Sequence, residues 1–401
     1  MSATAPRRRL LVVNHIPVWC GPHNRLARLN APLAEAGWDQ VVALPEEEGS
    51  AAERLREEGV RVVQLPLHRL RARADPRLHL ELLSTFAPEV KALRSLIRSE
   101  RSDVVLVQAL ENPHGILAGH LEGAGVIWQI IGTKTPMALR RALLPMMRNW
   151  ADVVMTTGVT VGRQHPGVVE LGERFVPFVA PVDTDLFRPD PARRASARAE
   201  LGLGPDDVVV GNVGNLNPQK GHRTFIRAAA QLRRTHPHVR FVILGATYDT
   251  HPGYAASLWQ EAEDLGLRLG HELIWRDGGR RVPDLMPALD VFWMASEPNS
   301  EGVPTVVMEA EATGIPVGST LCGGVADVVD DEWGFVVGEN DADGLASRTV
   351  PLVEDAALRA RLGTAGRRFA VEHCGVDSCL AAHLRAFDVA LARSGALAAA
   401  A

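Results

Sequence analysis

Two glutamates, Glu301 and Glu309, stand eight positions apart in the stretch NSEGVPTVVMEAEATGIPV, residues 299–317. A glycine, a proline and an apolar run separate them. Pro304 suits the first position of a helix, because its missing N–H would have no partner there. A helix begun at Pro304 aims the amides of Val303, Thr305 and Val306 at whatever lies in front, and such amides favour an anion. Eight helical residues turn the chain by about 800° and raise it by about 12 Å. The spacing thus predicts both carboxylates on one side of a helix, holding the two ends of one elongated, phosphate-bearing ligand. Two solvated glutamates on a surface helix satisfy the same periodicity.

A second candidate is GNVGNLNPQKGH, residues 211–222. Its glycines, Gly214 among them, allow a ligand close to the backbone, and Lys220 sits just before a helix, where an anion is already favoured. The spacing is neither that of a Walker loop nor that of a dinucleotide fingerprint. A plain tight turn with a solvated lysine is the competing reading. No carboxylate pair is arranged to bind a metal, and neither metal nor cofactor is expected.

These segments need a scaffold. Short β-branched runs alternate with helix-period segments almost throughout the 401 residues. Strands are expected over 10–14, 40–44, 60–65, 103–108, 125–131 and 152–157, with helices such as 24–36 and 88–99 between them. After a proline- and aspartate-rich break the rhythm restarts over 207–213, 239–244, 272–275, 290–295, 315–319 and 334–337. Strands alternating with helices imply parallel sheets covered on both faces. The fold class is therefore α/β, with two Rossmann-like, doubly wound domains over 1–180 and 205–375 and a linker over 181–204. In such sheets ligands bind beyond the carboxyl ends of the strands, so the loops at Asn14, Gln108, Gly132, Gly214, Gly245, Arg276 and Ser296 are the places to look.

Composition narrows the classes. Hydrophobic residues make up 46% and charged residues 23%, as in a soluble globular protein. A net charge of −5 gives no global reason to expect a nucleic-acid partner. Cys20, Cys322, Cys374 and Cys379 lack metal-site spacing and read as reduced thiols of a cytoplasmic protein. The apolar run after RRR ends at Asn14, too short for a signal peptide, and no stretch is long enough to span a membrane.

SEGVPTVVMEAEATGIPV, followed by GGVADVVDDEWGFVV, resembles the signature of retaining glycosyltransferase family 4, whose mark is two glutamates with seven residues between. VGNLNPQKG resembles that family's diphosphate loop, VDTDLFRP its approach to the linker, and PDLMPALDVFWMASEPNSEG its run into the first glutamate. The resemblance implies a GT-B architecture, with the active site in a central cleft and a final helix, 376–392 here, crossing back onto the first domain. It implies a nucleotide diphosphate sugar as donor substrate and a hydroxyl acceptor, with retention of configuration. Glu309 would hold the donor ribose, and Glu301 and the backbone of Gly302, Val303, Pro304, Thr305 and Val306 the transferred sugar and phosphate. Lys220 would neutralise the diphosphate, and Arg276 would lie near the nucleobase.

The chain departs from that pattern in several places. Asn215 stands where the family usually has an arginine, which leaves Arg223, Arg276, Arg280 and Arg281 as substitutes. Gly21-Pro22 replaces a glycine pair, and Gln108 and Ile131 stand where histidines are common. Gly21, His23, Gln108, His114, Thr133, Lys134 and Thr135 are the acceptor-side candidates, each with a plain structural role as its alternative. A small polar acceptor such as a cyclitol is the first expectation, ahead of a glycan or lipid intermediate. The arginines of LHRLRARADPRLH, Arg69, Arg71, Arg73 and Arg77, suit a solvated segment, peripheral membrane contact or an acidic acceptor. A sugar-nucleotide epimerase or hydrolase, and a non-catalytic nucleotide-sugar binder, are the competing functions.

Overall fold

The structure, a computed structural model, describes residues 7–68, 76–247 and 251–395, without the side chains of 76–83. Two parallel sheets form from the β-branched runs, whose residues pack well on strands buried on both faces. The first holds β1 (Arg8–Val13), β2 (Trp38–Pro45), β3 (Arg61–Leu65), β4 (Val104–Gln108), β5 (Gly125–Ile130), β6 (Val153–Thr157) and β7 (Phe175–Phe178), in the order β3-β2-β1-β4-β5-β6-β7. The second holds β8 (Val208–Val213), β9 (Val239–Leu244), β10 (Leu273–Arg276), β11 (Val291–Met294), β12 (Val317–Thr320) and β13 (Gly334–Val337), in the order β10-β9-β8-β11-β12-β13. The order reverses between β1 and β4 and again between β8 and β11. Loops diverge at such reversals and leave a crevice at the carboxyl ends of the strands, where α/β proteins bind ligands.

The chain forms two compact units, one up to Pro181 and again from Val376, the other Val182–Gly375. In the first, helix Val376–Ser394 covers one face of the sheet. Phe387 meets Trp38 with ring centroids 4.6 Å apart. Gly125 lets this helix approach, since a side chain there would come within 3.1 Å of the Ala390 backbone. Val90, Leu93 and Ile97 pack with Val105, Val107 and Trp128 in a separate cluster of the same unit. In the second unit, Phe225, Ile226, Ala229 and Leu232 of helix His222–Thr235 pack with Phe241 and Trp293.

Three segments depart from the expectations. β7 was not anticipated, because Pro177 weakens its sequence signal; the strand lies at the sheet edge, where a missing N–H breaks no ladder. The stretch read as a linker holds helix Pro191–Glu200, whose N-cap Asp190 accepts from the amides of Ala192 and Arg193, each at 3.0 Å. Arg194 and Arg198 tie that helix to Asp290 at 2.6 and 3.2 Å, so it is part of the second unit. The helix expected from Pro88 begins upstream and runs Pro76–Glu100, with the proline inside it. Arg69, Arg71 and Arg73, and the side chain of Arg77, lie outside the described residues. Among the described residues no helix is long and apolar enough to cross a membrane.

Replacing Phe387 by alanine removes the largest apolar contact of the final helix and should cost about 3–5 kcal/mol. Urea unfolding followed by tryptophan fluorescence measures it; a loss below about 1 kcal/mol would show the helix adds little to the first unit.

Candidate functional site

The crevice of the second sheet is built by the loops after β8 and β11. Beyond Val213, the amide of Gly214 donates to Leu244 O at 3.0 Å and that of Leu216 to Ala246 O at 2.8 Å, which pins the loop against the extension of β9. Asn217 caps the short turn Pro218–Lys220, its side chain accepting from the Gln219 amide at 3.0 Å. Gly221 ends that turn in the left-handed region, at φ 64°, and opens the helix from His222. A side chain at Gly221 would fall 1.6 Å from the Ala295 carbonyl oxygen, so only glycine closes this loop onto the end of β11. The aliphatic stem of Lys220 runs across Gly214, where a β-carbon would lie 3.2 Å from it.

From the other side, the Glu297 amide and the Ser300 hydroxyl both donate to Gln219 O, at 3.0 and 3.1 Å. These bonds clamp the two loops together. Glu301 Oε1 accepts from Lys220 Nζ at 2.8 Å and from Ser296 Oγ at 3.0 Å. The ion pair is half-buried, with 29% of the lysine and 14% of the glutamate side chain exposed, so bulk water screens it only in part. The amide of Gly324 donates to Gly302 O at 2.8 Å and fixes the chain as it turns into the helix.

That helix is Thr305–Ala312, with Pro304 in extended conformation as its N-cap. Two expectations are therefore corrected. Pro304 precedes the first helical residue, and Glu301 stands on the loop instead of the helix face. Gly302 and Val303 do not adopt helical geometry, so helical arithmetic does not relate the two glutamates. Lys220, assigned to a diphosphate, is paired with Glu301 in this structure. The amides of Thr305 and Val306 open the helix, where no carbonyl of the helix can receive them. Thr305, Val306 and Glu309 are half-buried while Val307, Met308, Ala310 and Glu311 are buried. Thr305 and Glu309, four apart, share the less buried stripe.

Glu311 lies two positions, about 200°, round the helix from Glu309 and faces the interior. Sequence reasoning missed it. Its Oε1 accepts from Trp333 Nε1 at 3.2 Å, and its buried Oε2 has no hydrogen-bond partner. Burial raises its pKa well above the ordinary 4.5, which favours the neutral acid. Nearer the ion pair, burial pushes the Cys322 thiol up to about 12, with the Glu301 charge adding to the effect. Burial likewise lowers His222 to about 4, so this first residue of its helix is neutral at pH 7.

The proposed substitutes for the missing arginine divide in two. Arg223 is held by Glu261 and by Ser257 Oγ at 3.0 Å, and Arg281 by Glu200 at 2.9 and 2.7 Å. Arg276, at the end of β10, and Arg280 are exposed, as is Asn215.

The crevice of the first sheet is filled by polar side chains. Asn14 Nδ2 donates to Gln108 Oε1 at 2.7 Å, and Gln108 Nε2 to Gln129 Oε1 at 3.1 Å. Arg25 Nη2 also reaches Gln129 Oε1, and His383 Nε2 lies 3.1 Å from Gln129 Nε2. Arg25 stacks over Phe178 at 4.8 Å, and burial lowers its pKa to about 10. Gln108 is thus consumed inside the unit. His23 is buried and accepts on Nδ1 from the Cys20 amide at 3.1 Å, capping helix Gly21–Glu35. His114 is fully buried, edge-on to Phe86 and 3.7 Å from Glu89. Thr133 is buried with its carbonyl held by Arg140, and the Thr135 hydroxyl donates to Glu111 at 2.7 Å. The expectation of ligand-facing side chains fails for His23, Gln108, His114, Thr133 and Thr135, because apolar packing and internal hydrogen bonds enclose them. Gly21, the first residue of its helix, and Lys134, in a loop, are exposed. Neither Arg25 nor His383 stood out in the sequence, since only the fold brings them to Gln129.

Among the described residues, no group of three or more histidines, cysteines or carboxylates could hold a metal ion.

Glu311 makes stability depend on pH. Its folded-state pKa exceeds the unfolded value, so folding binds a proton, and stability present below about pH 4.5 is lost as pH rises through the folded pKa. In Glu311→Met, Trp333 keeps its bond to Val328 O at 3.0 Å, and that loss should disappear. Thermal melts from about pH 5 to 8 should show the variant gaining on the wild type as pH rises; parallel curves would mean that Glu311 stays charged.

Residues 193–369 match the family model described as Glycosyl transferases group 1. Over 200 residues the chain is 34% identical to a GDP-mannose-dependent alpha-(1-6)-phosphatidylinositol monomannoside mannosyltransferase of Mycolicibacterium smegmatis, covering 48% of this chain and 50% of that protein. A D-inositol 3-phosphate glycosyltransferase of Saccharomonospora viridis is 31% identical over 194 residues, 47% of this chain and 44% of that one. The chain therefore spans about half the length of the relatives it matches. Among solved structures, a glycosyltransferase from Rickettsia africae superposes with a TM-score of 0.79 at 16% identity, covering 96% of this chain and 99% of that one. Anabaena Alr3699/HepE in complex with UDP gives 0.77 at 19% identity, covering 93% and 97%. These likenesses identify the fold as GT-B. The family match lies within the second unit, over residues 193–369.

Proposed function

We propose that the protein is a retaining glycosyltransferase that moves a sugar from a nucleotide diphosphate sugar to an acceptor hydroxyl. The observation that carries this is the meeting of Lys220, Glu301 and the start of helix Thr305–Ala312 at the strand-order reversal, inside the family-matched segment. The diphosphate lies against Lys220 and the helix amides. Glu301 accepts hydroxyls of the transferred sugar, and Glu309, on the open stripe of the helix, those of the ribose. Arg276 or Arg280 supplies the cation that Asn215 lacks.

The difficulty of the reaction is charge. The bond from the anomeric carbon to the diphosphate oxygen breaks as the acceptor oxygen bonds to that carbon on the same face. The acceptor proton passes to the departing oxygen, so no separate protein base is needed. Lys220 and the helix amides stabilise the anion that leaves; one such donor is worth about 2.7–4 kcal/mol at the transition state. The reading assigns no metal and no cofactor.

The first unit holds the acceptor, presented to the loops at Gly21 and Lys134. A cyclitol or cyclitol-bearing acceptor is favoured by the relatives, whose names specify inositol phosphate and phosphatidylinositol monomannoside. The donor base follows the same comparisons, guanine in the mannosyltransferases and uracil in the Anabaena structure. The reaction belongs in the cytoplasm, where sugar nucleotides are made.

Screening nucleotide sugars for thermal stabilisation, then measuring turnover with inositol and inositol phosphate, tests this. Lys220→Met should lower kcat at least about tenfold, and Glu309→Ala should raise the donor KM with a smaller effect on kcat. Unchanged kinetics in both variants would remove the assignment. Donor consumption that is complete without any acceptor would instead indicate a hydrolase or epimerase.

A further inference from the structure

We propose that Glu301 makes the site distinguish a sugar-loaded nucleoside diphosphate from a bare one, disfavouring the product that remains after transfer. The inference rests on the glycosyltransferase reading and concerns its release step. The Glu301 carboxylate lies 2.8 Å from the lysine that must meet the phosphates, so any phosphate arriving at Lys220 shares that cation with a second anion.

The two nucleotides differ in charge at that point. In a sugar nucleotide the outer phosphate is bridged on both sides, by an ester to the sugar and an anhydride to the inner phosphate, and carries a single negative charge. In the bare diphosphate it is a terminal phosphate, held only by the anhydride bridge, with a charge of about −1.5 to −2 at pH 7. The sugar also brings hydroxyls that donate to Glu301, replacing part of what the carboxylate gives up when Lys220 turns to the phosphates. A bare diphosphate brings more charge and no donor. Ser296 Oγ, at 3.0 Å, is a neutral donor to Glu301 and brings no charge of its own. Because the pair is half-buried, bulk water screens the repulsion only in part.

Two titratable neighbours of the pair, Cys322 and His222, add no charge to it. Cys322 is held as a neutral thiol and His222 as a neutral imidazole, by burial in each case. The net effect is a site balanced when a sugar is present and overcharged when it has gone.

Titration calorimetry with UDP, GDP and ADP, and with UDP-glucose and GDP-mannose, tests this on the full chain. Glu301→Gln keeps the shape and the Ser296 bond while removing the charge. It should bind the matching bare diphosphate about fivefold more tightly, the scale of one partly screened charge contact, and the sugar nucleotide no more tightly. Kinetically, product inhibition by that diphosphate should strengthen in step. Equal changes for both nucleotides, or an unchanged diphosphate affinity in a folded variant, would overturn the proposal. A wild-type measurement needs no variant: lowering the pH from about 7.5 to 5.5 protonates the terminal phosphate, and the disadvantage of the bare diphosphate should shrink. A ratio that stays constant counts against the role. Wild-type protein that binds none of these nucleotides contradicts the glycosyltransferase reading itself.

Discussion

The second unit is organised around one cation that its own fold has already placed. Lys220 sits where the strand order of the six-stranded sheet reverses, its stem across Gly214 and its ammonium on Glu301. Gly221 closes the β8 loop onto the Ala295 carbonyl, and Gln219 O takes two hydrogen bonds from the β11 loop. The two loops therefore form one object, and the lysine and glutamate meet because their backbones are tied. A partly exposed ion pair adds only about 0–1 kcal/mol to stability. Its significance in the proposed reaction lies in what it holds ready: a positive charge on Glu301, in the loop that leads into helix Thr305–Ala312.

Much of this architecture was legible in the sequence. Runs such as DVVLVQ and VRFVIL are buried on both faces, so each reads as a strand without reference to anything distant. The strand that escaped, β7, carries a proline, tolerable there only because the strand lies at the edge, which is a property of the sheet and not of the segment. The misread linker has a similar cause. Its prolines and aspartates look like loop composition, yet Asp190 caps a helix and Pro191 begins it, and Arg194 and Arg198 find Asp290 only once β11 is in place.

The site was legible in its parts and not in its geometry. Lys220, Glu301 and Glu309 stood out by type and spacing, but Gly302 and Val303 keep the first glutamate off the helix, and spacing alone cannot reveal that. Glu309 and Glu311 are separated by one alanine and have opposite fates, one on the open stripe and one neutral in the interior. That is the ordinary consequence of a turn of about 100° per residue, visible once the buried side of the helix is known. In the first unit the same limitation applies more strongly. Gln108, His23 and His114 lie on or beside loops that should face a ligand, yet they serve the interior, where Arg25, Gln129 and His383 converge from distant parts of the chain. Gly21, at the start of its helix, and Lys134, in a loop, stay exposed.

The central claim is that the loops after β8 and β11 grip the diphosphate of an activated sugar. A crystal structure with UDP-glucose or GDP-mannose bound tests it most directly. The account predicts phosphate oxygens within hydrogen-bond reach of Lys220 Nζ and of the amides at the start of helix Thr305–Ala312, with a sugar hydroxyl on Glu301. A nucleotide seated elsewhere, with the Lys220–Glu301 pair intact and the helix start vacant, would contradict it.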